Sequence, residues 1–152
     1  MTQGEKELLS NDLLKDLCAR LPYGVIGQCE IDASYDTPFE TISQPHKFNA
    51  VVYGFKEDSL FVTPLIEDQD VQEFANEEVA DGVDILDFKP YLFPLSSMTA
   101  EEKKECLKIT FVEATDWLNS HHLDYRGLIE KGLALEAPPG MYEIITIIAE
   151  NY

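Results

Sequence analysis

A chain of 152 residues with 29 Asp and Glu against 11 Lys and Arg carries a formal net charge of −18. That charge repels phosphate backbones and anionic lipid, so direct nucleic-acid and membrane binding are not expected, while solubility and basic partners are favoured. A hydrophobic fraction of 45% excludes a disordered acidic tail and is enough for one domain with a sizeable core.

The spacing predicts a first helix capped by Ser10, with Leu9 and Leu14 forming a hydrophobic staple. Leu13, Leu14, Leu17, Cys18 and Leu21 recur as one buried face, and Pro22 with Gly24 ends the helix. Val25 to Ile31 alternates as a half-buried strand. The turn-rich stretch Asp32 to His46, with Pro38 and Pro45, reads as a surface loop. Phe48 to Phe55 is apolar on both faces, as a central strand is, and Lys56 to Ser59 turns it into a second strand, Leu60 to Leu65.

Asp70 with Glu73 forms a capping box for a short helix, Asp70 to Ala80, whose face Val71, Phe74, Ala75 and Val79 points inward, with Gly82 as terminator. Val83 to Phe88 reads as a short strand, and Lys89 to Pro94 must be extended because residues before proline avoid the helical region. Thr99 and Glu102 box the start of a long helix reaching His121, with Leu107, Phe111, Ala114 and Leu118 as its buried stripe. A turn at Asp124 to Gly127, one helical turn at Leu128 to Lys131 and a proline loop from Glu136 to Gly140 follow. The β-branched Ile144 to Ile148 reads as a strand. Together these predict a single α+β domain: a small antiparallel sheet of three to five strands covered by two main helices.

Met1 to Glu7 lack the apolar core of a signal peptide and no run is long enough to span a membrane, which predicts a cytoplasmic protein of a bacterial host cell. Cys18, Cys29 and Cys106 form no C-x-x-C pair and read as small buried thiols in a reducing compartment. His46, His121 and His122 have no ligand spacing with them, so neither a metal nor a cofactor is expected. Phosphate-binding, dinucleotide and hydrolase motifs are absent from the sequence.

Three stretches, Asp16 to Val25 (DLCARLPYGV), Lys89 to Thr99 (KPYLFPLSSMT) and Asp124 to Ala134 (DYRGLIEKGLA), occur in an order that resembles a family of small uncharacterised proteins of gut bacteria, their phages and mobile elements. The resemblance implies a shared fold and a mobile-element origin; it implies no activity. Residues 67–82 stand out against the family pattern as an acidic insertion and 141–152 as a C-terminal extension, so roles given to them are not family roles. The motif residues Tyr23, Lys89, Pro90, Tyr91, Pro94, Asp124, Tyr125 and Arg126 read as structural.

Between Lys56 and Lys89 no cation occurs. Asp68, Asp70, Glu73, Glu77, Glu78, Asp81 and Asp84 are therefore the candidate contacts for a basic protein, in the sharpest case by imitating the phosphates of nucleic acid. The plain alternative is a solvated face. The aromatic segment Lys89 to Thr99 is either a recognition strip or, more simply, a rigid connection laid on the core. His121, His122 and Asp124 are the groups able to do proton chemistry if they share a pocket, which makes a small enzyme the alternative function. Asp124 and Arg126 are expected to lock their turn as an ion pair. A third reading is an assembly protein that pairs through its Ile144 to Ile148 strand.

Overall fold

A computed structural model describes residues 2–36, 38–57 and 59–143. The described residues form one α+β domain with four α-helices and a mixed sheet of seven strands, larger than the small antiparallel sheet expected.

Helix α1, Gln3–Arg20, begins well before Ser10. Thr2 and Glu5 form the capping box, each side chain bonding the other's backbone N–H, and this stronger signal displaces the Ser10 cap. Leu13 and Leu17 are buried, whereas Cys18 is exposed; the buried stripe instead takes in Asp16 and Arg20. Pro22 and Gly24, the latter at φ 78°, turn the chain into strand β1, Val25–Asp36.

Strand β2, Thr41–Lys56, pairs with β1 through an unbroken register from Val25 opposite Val52 to Asp36 opposite Thr41. The expected loop at Asp32 to His46 is thus the far end of a long hairpin. Pro45 is tolerated there because this part of β2 borders β1 alone, an edge position. Strand β3, Ser59–Pro64, returns antiparallel to β2, and its last pair is Pro64 opposite Ala50. Phe48, Ala50 and Val52 face the core, but Tyr53 is 68% exposed, so β2 is covered on one face only along that stretch.

Helix α2, Gln69–Glu78, is capped by Asp68, whose carboxylate accepts the Val71 N–H at 3.0 Å. Asp70 therefore sits inside the first turn and is not the cap. Ala75 and Val79 are buried, while Val71 and Phe74 are about two-fifths exposed. The segment after Gly82 (φ 99°) splits into strand β4, Val83–Asp84, and a 3-10 turn, Ile85–Asp87. Asp84 enforces the break by accepting the Leu86 N–H.

Strand β5, Phe88–Pro94, lies beside β1, giving the order β4-β3-β2-β1-β5-β6 with a further strand, β7, also on β5. Strands β6, Leu123–Asp124, and β7, Leu135–Glu136, pair with β5 in parallel. These two-residue pairings make the sheet mixed. Where β1 meets β5, Gly27 faces Pro90, and a Cβ on Gly27 would lie 2.2 Å from the Phe88 ring and 2.7 Å from the Lys89 carbonyl oxygen. Pro90 has no N–H to offer β1. At the next register position the Tyr142 hydroxyl substitutes, accepting the Ile26 N–H at 3.3 Å and donating to the Tyr91 carbonyl at 2.6 Å.

The expected long helix is two: α3, Ala100–Lys108, and α4, Phe111–Ser120. Ile109 is extended (φ −106°, ψ 169°), and Thr110 caps α4 by accepting the Glu113 N–H. The predicted stripe fails with the helix. Leu107 and Phe111 are 86% and 87% exposed. Leu13, Leu17, Val25, Cys29, Phe48, Val52, Leu60, Val62, Ile85, Phe88, Leu92 and Leu128 form the core, with α1 and the C-terminal segment over one sheet face. The strand expected at Ile144 to Ile148 lies outside the described residues.

Candidate functional site

The acidic face and the polar motif residues occupy separate places. On α2, Asp70, Glu73 and Glu77 stand at i, i+3 and i+7, so they line one exposed face opposite buried Ala75 and Val79. Among the described residues none of these three, nor Glu78 or Asp81, has a Lys or Arg within ion-pair distance. Asp68 is committed to its cap and Glu78 is half-buried.

Asp84 belongs electrostatically to a different group. Burial pushes the Asp87 carboxyl above its usual range, and Asp84, Asp32 and Glu30 push it further. Glu30, Asp32, Asp87, Lys47 and Lys89 line a cleft of about 440 Å³. A second group of carboxylates therefore surrounds Asp87, and Asp84 acts on it.

Two of the three motif stretches, Asp16 to Val25 and Asp124 to Ala134, meet around one buried guanidinium. Arg20 is fully buried and grips fully buried Asp16 twice, Nε to Oδ2 at 2.7 Å and Nη2 to Oδ1 at 3.1 Å. Its Nη2 also donates to the Leu123 carbonyl at 2.6 Å, across 103 residues of sequence. The Tyr125 ring lies 5.2 Å from the Arg20 guanidinium carbon and 5.5 Å from that of Arg126. Arg126 reaches Asp16 at 3.6 Å and does not pair with Asp124. Asp124 instead caps the following turn: its two oxygens accept the N–H groups of Leu128 (2.8 Å) and Ile129 (3.0 Å). The expected Asp124–Arg126 lock is thus replaced by an Asp124 cap and an Arg20–Asp16–Arg126 ion cluster.

The middle stretch, Lys89 to Thr99, contacts His122, Tyr142 and Asn49 rather than the ion cluster. The Phe93 N–H donates to the His122 carbonyl at 2.8 Å, and the Phe93 ring lies beside Tyr142. Tyr91 donates its hydroxyl to Asn49 at 2.8 Å, and buried Pro90 and Leu92 face the core, the arrangement of a rigid connection. Lys89 is exposed beside the acidic cleft, Pro94 is half-buried at the end of β5, and Tyr23 is 36% exposed in the turn before β1.

The histidines diverge. His121 is exposed, stacked on Trp117 at 3.9 Å between ring centroids, with Nδ1 2.9 Å from the Trp117 carbonyl oxygen. His122 turns inward at φ 58° and stacks on Tyr142 at 3.4 Å. Burial lowers the His122 pKa to about 4, helped by Arg20 and then His121. Asp124 touches neither ring, so the acid–base constellation expected of an enzyme is not assembled from these three residues. His122 Nδ1, Arg20 Nη1, Tyr125 Oη and Asn119 Oδ1 have no hydrogen-bond partner among the described residues.

Sequence reasoning missed Asp16 and Arg20 as the centre of this arrangement. The available signal was an acid four residues before an arginine on the apolar stripe of a helix, where a charge survives only if paired. Among the described residues no group of His, Cys, Asp and Glu has the geometry to hold a metal, and no helix is long and apolar enough to cross a membrane. In comparisons with known proteins the chain matches no family model, no curated protein and no solved structure.

Proposed function

We propose that this chain is a non-enzymatic interaction module of phage or mobile-element type that binds a basic protein through the outward face of α2. The observation that carries the reading is the unneutralised row Asp70, Glu73 and Glu77, continued by Asp81. Glu77 and Glu78 occupy the last turn of α2, where the helix dipole disfavours negative charge and no basic residue compensates. A cationic partner removes that penalty. The mobile-element origin rests on the three motif stretches alone.

Exposed charges farther apart than about 8 Å are screened at physiological ionic strength, so binding is salt-sensitive. Affinity capture from a bacterial lysate at low and high salt, followed by mass spectrometry, identifies what elutes between them. Capture of the same protein by the D70N/E73Q/E77Q/E78Q variant removes α2 as the binding face. Imitation of a nucleic-acid backbone is the narrower form of the proposal, and duplex DNA then competes for the captured protein.

A further inference from the structure

Helices α3 and α4 carry a second surface that is apolar where α2 is charged. No residue of α3 is buried, although the helix is well capped by the Thr99–Glu102 box. Ile109 and Thr110 separate α3 from α4, and a groove of about 370 Å³ is lined by residues of both helices. Cys106, Ile109 and Trp117 form its apolar side; Glu101, Glu102 and Glu105 form its rim. The volume falls in the range of about 300–1,000 Å³ typical of ligand pockets. Trp117 is held in place by its stack on His121. The same helix pair exposes Leu107, Phe111 and Val112 at 86%, 87% and 68%.

We propose that this groove takes an amphipathic basic helix of a protein partner, apolar side chains at i, i+3 and i+4 entering between α3 and α4 and Lys or Arg meeting the glutamates. Charge complementarity at the lining selects that occupant: three glutamates and no cation line the groove, the lysines of α3, Lys103, Lys104 and Lys108, lying outside that lining. Among the described residues Glu101 has no cation partner, and Glu105 has only Lys108, an exposed pair at 3.8 Å that contributes little. A second copy would bring its own acidic rim and a net charge of −18 against this one. An apolar stripe flanked by cations is the helix-in-groove mode of recognition. The groove is independent of the α2 face, so either surface can fail without the other.

The molecule contains its own reporters. Trp117 is the sole tryptophan, and Cys106 lines the groove while Cys18 is exposed on α1. The full chain is titrated with a synthetic amphipathic leucine–lysine peptide and with a lysine–serine peptide of equal length and charge. The leucine–lysine peptide is expected to shift Trp117 emission to the blue and slow alkylation of Cys106, leaving Cys18 reactive. E101Q/E105Q, which spares the Glu102 cap, is expected to weaken that binding roughly fivefold at low salt, at about 0.5 kcal/mol per exposed charge. Equal binding of the lysine–serine peptide overturns the proposal, because apolar complementarity is then irrelevant. So does binding that leaves Trp117 and Cys106 unchanged, or that is lost in D70N/E73Q/E77Q and kept in E101Q/E105Q.

Discussion

His122 is the buried group most exposed to a simple test, because its ring is 7% exposed and sits beside the Arg20 cation. An unfolded histidine titrates near 6.5, and in the folded chain burial, Arg20 and His121 lower the value to about 4. Between those values the unfolded state binds the proton and the folded state does not. Stability from this group is therefore fully present above pH 6.5 and is lost as pH falls from there toward 4. At pH 5 about one and a half pKa units of the difference are expressed, roughly 2 kcal/mol at 1.4 kcal/mol per unit and on the order of 1 kcal/mol after allowance for solvent at the ring edge. The control is His122→Asn, since asparagine accepts the positive φ of 58° and does not titrate in this range. Urea unfolding at pH 8 and pH 5 should show the natural chain losing about 1–2 kcal/mol more than H122N. Equal losses in the two proteins, or an imidazole that titrates near 6.5 by NMR, refute the buried neutral histidine.

Two further substitutions test the packing beneath the site. Arg20→Met leaves Asp16 buried with only Arg126 at 3.6 Å, and should cost about 3–5 kcal/mol, lowering Tm by roughly 10 °C; the double change D16L/R20M should recover much of this, and an unchanged Tm in R20M dismisses the buried pair. Gly27→Ala forces a Cβ against Phe88 and the Lys89 backbone and should cost about 1–3 kcal/mol or more by denaturant unfolding, while Gly4→Ala, with open space around it, should not destabilise; equal stability in the two variants would show that β1 and β5 are not so close.

What could be read before folding was whatever short-range chemistry decides. The end of α1 at Pro22, the hairpin from β2 to β3 and the Thr99–Glu102 box each depend on residues within four positions of one another. The split at Ile109 was also local: Thr110 followed by Glu113 carries the same cap signature as Thr99. It was masked by an apolar periodicity running through Leu107 and Phe111, and those side chains face solvent. The long hairpin was hidden by turn-forming residues that strand pairing overrode. Strands β6 and β7 have two residues each, too few to show a period, and owe their existence to β5. Arg20 finds the Leu123 carbonyl across 103 residues, a meeting that no sequence window contains. The α2 carboxylates were visible as a charge run, but the meeting of Asp84, Asp32 and Glu30 around Asp87 spans too much sequence to be read from it.

Strand β5 pairs with β1, β6 and β7, so the sheet is completed only by residues 123–136. The meander of β1, β2 and β3 closes short loops and can form on the ribosome once residue 64 has emerged, since short closures cost the least entropy. The Leu123 carbonyl and the Tyr125 ring that cover Arg20 come from much later in the sequence. Within α1 the guanidinium has Asp16 as its partner, so its full desolvation depends on residues from the other end of the chain.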